Sequence, residues 1–151
     1  MPIKDQRDSL VNDAQNSWAR RITEQFGSDY SMWGSNGIEL VDPNQGQLGD
    51  CWIVAAASCV AQTPKRIRKL FVTDDLNENG VYTVQLYSMG IPVTVTVDDY
   101  LPFMWENNAY KLRYAAASED KALWMPILEK AAAKLYGNYE QLIGGNLGPA
   151  I

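Results

Sequence analysis

The spacing of apolar residues changes character twice along this chain. Leu10, Ala14, Trp18, Ile22 and Phe26 recur every four residues and predict an amphipathic helix that stops before Gly27. Residues 27 to 50 carry five glycines and Pro43 without a sustained period, and read as a long ordered loop. Asp50 then stands where a helix N-cap belongs, ahead of the small apolar run from Cys51 to Ala61. Pro64 punctuates, and a short helix is predicted from about Lys65 to Phe71. Here the period drops to two. Tyr82, Val84 and Leu86 alternate with Thr83 and Gln85, and Val93, Val95 and Val97 alternate with Thr94 and Thr96, so that Ser88-Met89-Gly90 marks a β-hairpin turn. Asp98-Asp99 ends the second strand, and Pro102 argues against its continuation. The helical period returns with Trp124, Ile127, Leu128, Ala131, Ala132 and Leu135 on one face, Pro126 near the start and Gly137 at the close. Gly144 to Pro149 is loop, an ending that reads as a cut with more polypeptide beyond it. The elements add up to an α+β fold: helices, the Cys51 helix among them, packed on a small antiparallel sheet from residues 81 to 98.

Composition narrows the function classes. A chain of 151 residues with 46% hydrophobic content can build one sizeable core, which excludes wholesale disorder. The net charge of -5 and the lack of a long basic run argue against nucleic acid as a partner; Lys65, Arg66, Arg68 and Lys69, at helical spacing, read as a solvated face. No apolar stretch reaches the roughly 18 residues of a membrane span. The opening MPIKDQRDSL lacks a signal-peptide core, so a reducing, cytoplasmic location is expected. Eight residues of helix hold Cys51 and Cys59 about 12 Å apart, too far for a disulfide. Two free thiols are expected.

Histidine is absent. That removes Ser-His-Asp and Cys-His catalysis and histidine metal sites from what this chain does alone. The stretch with chemistry is Gln45 to Ser58, QGQLGDCWIVAAAS. Glycines 46 and 49 permit a turn and close approach of a ligand. Cys51 falls at a helix N-terminus, where unpaired N–H groups and the helix dipole favour an anion, and hence a thiolate. The Gln45 amide is placed to donate to an oxyanion beside the cysteine. On helix placement alone, a cysteine such as Cys51 is more often a buried small hydrophobe than a nucleophile.

The wider pattern resembles the calpain family of cysteine proteases. Gln45-Gly46-Gln47-Leu48-Gly49-Asp50-Cys51-Trp52 with its alanine-rich helix is similar to that family's active-site cysteine motif. Val97-Asp98-Asp99-Tyr100-Leu101-Pro102 resembles its strand-end motif, and Leu123 to Ala131 followed by Ala133 to Gly137 resembles a characteristic helix. Tyr139-Glu140 and Gly144-Gly145 follow in the family's order. The resemblance implies a papain-like half-fold: an amphipathic helical segment over 1–33, then the first protease-core subdomain over 34–151. It implies that Cys51 attacks the scissile carbonyl, that Gln45 and the Cys51 backbone N–H form the oxyanion hole, and that Trp52 and Gly145 bind substrate. A core aromatic and a simple turn glycine are the alternatives for these last two.

The same resemblance implies partners. They are a second subdomain carrying the catalytic histidine and asparagine, and a protein or peptide substrate. No cofactor is required by the sequence itself. The family's calcium site in this region would use Gly37 and Asp42, but Ala122 stands in the place of its acidic ligand, with Glu119 or Asp120 as neighbouring substitutes. Asp74-Asp75 and Asp98-Asp99 read as a solvated turn and a structural motif. The expected function is therefore the nucleophile-bearing half of an intracellular cysteine endopeptidase, inactive alone. The alternative is a non-catalytic scaffold on the same fold.

Overall fold

The computed structural model describes residues 18–27 and 29–145. In chain order it contains β1 (Trp18–Arg21), α1 (Ile22–Phe26), α2 (Cys51–Ala61), α3 (Pro64–Leu70), β2 (Val81–Ser88) and β3 (Ile91–Asp98). Then come β4 (Tyr100–Glu106), β5 (Ala109–Leu112), α4 (Trp124–Tyr136) and a 3₁₀ turn, Tyr139–Leu142. The class is α+β, as expected.

The hairpin forms where alternation places it. β2 and β3 pair antiparallel from Val81↔Asp98 to Ser88↔Ile91, turning at Met89-Gly90, both at positive φ. Tyr82, Val84, Val95 and Val97 point into the core. The predicted helices at Cys51, Lys65 and Trp124 also form, with Pro64 and Pro126 in the opening turns, where a missing N–H costs nothing.

A three-stranded sheet, which the apolar spacing does not predict, accompanies the hairpin. Its order is β1-β4-β5. Trp18–Arg21, expected to be helical, is strand because it pairs with Tyr100–Phe103 of β4, and among the described residues of that stretch Ile22–Phe26 is helical. Leu10 and Ala14 lie outside the described residues. Pro102 does not stop β4. It pairs with Ala19 of β1, while the ladder to β5 starts one residue later at Phe103↔Leu112, so no ladder to β5 needs the proline N–H. This sheet encloses a small core of Ile22, Leu101, Phe103 and Leu123. Arg21, at the end of β1, ties it to the hairpin by donating to Asp99 at 3.0 Å and to the Glu78 carbonyl at 2.9 Å.

The larger core surrounds α4, where Trp124 to Glu129 and Ala131 to Ala133 are all buried. Met32 and Trp33 join it, so the end of the 1–33 segment is built into the same core as the residues after it. The long loop is held to the start of α4 by backbone bonds from Leu123 to Ser31 and from Trp124 to Met32, both 3.0 Å. Gly46 lies so close to the Arg113 and Tyr114 carbonyls that any Cβ would overlap them. The loop can therefore cross that strand-like segment only with glycine at this position.

Ile127 is fully enclosed in this core. Ile127→Ala is expected to lower unfolding free energy by about 2–5 kcal/mol. Val72→Ala, at a side chain 64% exposed, should change it by less than about 0.5 kcal/mol. Denaturant titration of both variants checks the contrast.

Candidate active site

Cys51 is the first residue of α2, and its thiol is exposed and free. The Asp50 carbonyl accepts the first helical bonds, from Ile53 at 2.8 Å and Val54 at 3.3 Å. The Cys51 N–H thus stands in the helix's opening turn, ahead of that ladder. Along α2 no residue is charged, yet Cys51, Ala55 and Cys59, one turn apart, are all exposed. A helix so apolar on every side is normally covered on every side.

Gln45 is exposed on the loop leading to Cys51, and its Nε2 donates to the Leu48 carbonyl at 2.6 Å. That bond fixes the amide against its own loop and leaves the second amide hydrogen for another acceptor. The loop is braced from outside by Gln47 N to Arg113 O at 2.9 Å and Ala116 N to Asn44 O at 3.0 Å.

Trp52, expected on the cleft wall, is 6% exposed. Successive helical residues point about 100° apart, so the rotation that exposes Cys51 turns Trp52 inward. Its Nε1 donates to the Leu142 carbonyl at 2.6 Å, and its ring meets Tyr136 edge-on at 5.7 Å. Trp52 also lines a mostly apolar hollow of about 550 Å³, with Ala56, Ile67, Leu128 and Tyr136; Cys51 is not part of that lining. Gly145 lies on the Trp52 indole, so close that a Cβ would overlap the ring. The Gly144 N–H donates to Gly49 at 3.1 Å. The two glycines of the tail are thereby seated on the loop and helix that carry Cys51.

Gly37 and Asp42, the residues expected for a metal, both lie on the long loop before α2. Gly37 is in a left-handed turn at φ +82°. Asp42 is buried, and its Oδ2 already accepts the Glu39 N–H at 2.7 Å and the Trp124 indole N–H at 2.9 Å. Ala122 is buried where the acidic ligand would stand. Asp120 is turned onto the Ser118 hydroxyl and the Asn36 N–H. Those hydrogen bonds outweigh desolvation and hold its carboxyl below the usual carboxylate range. Among the described residues no three of His, Cys, Asp and Glu gather as a metal site. Calcium needs six to eight oxygens, and Asp42 Oδ2 and the Asp120 carboxylate are already engaged by protein donors, so these two do not fit such a site.

One pair of residues lies in two of the motifs quoted above, yet neither motif by itself shows that the two meet. Asp50 is in the N-cap position but makes no side-chain cap; it is fully buried beside Glu129 of α4. The local sequence signal is a carboxylate at position 129, in helical register with the buried Met125 and Ala133.

Gly145→Ala should push the tail off the Trp52 ring. The expected cost is about 1–3 kcal/mol of stability, accompanied by a shift in tryptophan emission; unfolding followed by fluorescence reports both.

Comparison with known proteins agrees with this geometry. The profile described as "Calpain family cysteine protease" matches residues 3–151. The chain is 38% identical over 117 residues to the calpain-type cysteine protease ADL1 of Oryza sativa subsp. japonica, covering 78% of this chain and 5% of that protein. It is 37% identical over 155 residues to the calpain-type cysteine protease DEK1 of Arabidopsis thaliana, covering 95% and 7%. To calpain-12 of Homo sapiens it is 36% identical over 116 residues, covering 75% and 16%. The chain therefore spans a small fraction of the curated relatives it matches. With the profile running along almost its whole length, and with Cys51 exposed at the head of its helix, this chain belongs to the calpain family of cysteine proteases.

Proposed function

We propose that this chain is the nucleophile-bearing half of a cysteine endopeptidase, completed by a second subdomain that supplies histidine and asparagine. The observation that carries the reading is the exposed thiol of Cys51 at the head of an uncharged helix whose Cys51, Ala55 and Cys59 face lies open. A docking surface for the second subdomain would have this apolar character. A self-sufficient scaffold would cover that face, and would need neither Cys51 nor Gln45.

In this reading the histidine of the second subdomain takes the thiol proton, and the sulfur attacks the carbonyl carbon of a protein or peptide substrate. A C–S bond forms, and the oxyanion is met by the Cys51 N–H and the free hydrogen of the Gln45 amide. Collapse breaks the C–N bond, and the leaving amine takes its proton from the imidazolium. Water then hydrolyses the thioester, restoring the thiol. Without histidine the chain has no base for the first step, so alone it is inert. The compartment in this reading is the cytoplasm. Among the described residues, no helix is long and apolar enough to cross a membrane.

Iodoacetamide should label Cys51 in preference to Cys59, and the chain should cleave peptides only after mixing with a His- and Asn-bearing subdomain. In that mixture Cys51→Ala should lower the rate by on the order of 10³-fold or more, and Gln45→Ala by roughly 10²–10³-fold. Equal, sluggish labelling of both cysteines with no cleavage on mixing would favour the scaffold.

A further inference from the structure

The two acids beneath the cysteine loop present a problem of charge. Asp50 is 0% exposed and Glu129 is 2% exposed. The Glu129 carboxyl receives one N–H, that of Ala115, shared between its oxygens at 3.0 and 3.1 Å. Among the described residues no N–H or hydroxyl of another residue donates to either Asp50 side-chain oxygen. The group that meets the Asp50 carboxyl is the Glu129 carboxyl itself. Two ionised carboxylates in contact, out of water and with one N–H between them, repel strongly. A proton on one of them turns the repulsion into an O–H···O⁻ hydrogen bond and satisfies the acceptor that nothing else reaches.

We propose that Asp50 and Glu129 hold one proton between them at neutral pH, Glu129 donating to Asp50, and that this bond positions the Cys51 end of α2 against α4. Its catalytic meaning rests on Cys51 being the nucleophile; the shared proton does not. Asp50 is the lever because its carbonyl starts the helix and its peptide bond carries the Cys51 N–H. Glu129 is accordingly a positioning residue, acting on Cys51 through Asp50.

The surroundings favour the neutral form. Burial raises both carboxyls above their ordinary values, and for Glu129 the Asp50 charge adds to it. Tyr139 faces the pair from the 3₁₀ turn with its own ionisation pushed up, first by burial and then by the Glu129 charge. The Tyr114 ring packs on Tyr139 with centroids 4.5 Å apart and planes tilted by 39°, and the buried Arg113 lies 5.7 Å from the Tyr114 ring. Asp98 adds a weaker negative field. Because the folded-state values are raised, the pair's contribution to stability is complete below the ordinary carboxylate range. It is lost as pH climbs through the folded-state value.

Side-chain carboxyl ¹³C NMR of the chain, followed through a pH titration, reads the proton directly, and iodoacetamide labelling of Cys51 against Cys59 reads the positioning. Glu129 is expected to give a neutral-acid signal at neutral pH that is absent in E129Q. Cys51 labelling in the wild type should show, besides thiol ionisation, a second step that follows this signal. E129Q, whose amide replaces the O–H donor, should keep the neutral-pH rate and lose that second step. E129A, which leaves Asp50 unmet, should alter the Cys51 rate by about tenfold with Cys59 unchanged; should it fail to fold, E129Q carries the test. A Glu129 signal titrating in the ordinary carboxylate range overturns the shared proton. Identical Cys51 profiles for wild type and E129Q overturn the positioning role. A neutral Glu129 with no selective labelling of Cys51 in any variant upholds the proton pair and sinks the nucleophile reading instead.

Discussion

Helix α4 is buried on nearly every side, and much of the molecule is arranged to meet its few polar groups. The Trp124 indole takes Asp42 from the long loop, and Glu129 takes the Ala115 N–H and the Asp50 carboxyl. Lys130 reaches Asp98 and the Tyr100 carbonyl, both at 2.6 Å, and Lys134 reaches the Thr96 carbonyl at 2.7 Å. A buried donor or acceptor left unpaired costs about 1–3 kcal/mol, so the buried bonds of Trp124 and Glu129 constrain the chain firmly, whereas those of Lys130 and Lys134 lie at the exposed edge of the helix. Together they draw the cysteine loop, the hairpin's end and the segment after β5 onto a single helix.

The exposure of Cys51 follows from that arrangement. With Trp52, Ala56 and Ala57 committed to the core, the rotation of α2 is settled, and Cys51, Ala55 and Cys59 must face outward. Glycines allow the surrounding backbone to close in: Gly46 passes beneath the Tyr114 carbonyl, and Gly145 rests on the Trp52 ring. The result is a rigid base carrying a thiol at its rim, the condition under which a reacting group can be placed accurately by a partner.

Asp42 and Asp120 illustrate how the same residue types serve different ends. In a calcium site their oxygens would converge on a cation. Here Asp42 is held by two N–H donors and Asp120 by a hydroxyl and an N–H, with a methyl group from Ala122 in place of a third acid. Hydrogen bonds within the protein thus brace this loop directly.

Local pattern alone determined the hairpin from Val81 to Asp98 and helices α2, α3 and α4, because period, prolines and glycines act over a few residues. The motif from Gln45 to Trp52 likewise marks the nucleophile loop by its residues alone. Other features depended on contacts between residues far apart in sequence, which no local period encodes. Trp18–Arg21 becomes strand by pairing with β4, overriding a helical spacing, and Pro102 is tolerated because of where the two ladders begin. The inward turn of Trp52 was set by packing against Tyr136 and Leu142. The meeting of Asp50 with Glu129 was likewise decided only in three dimensions, since burial and proximity, not residue identity, determine whether a carboxyl keeps its proton.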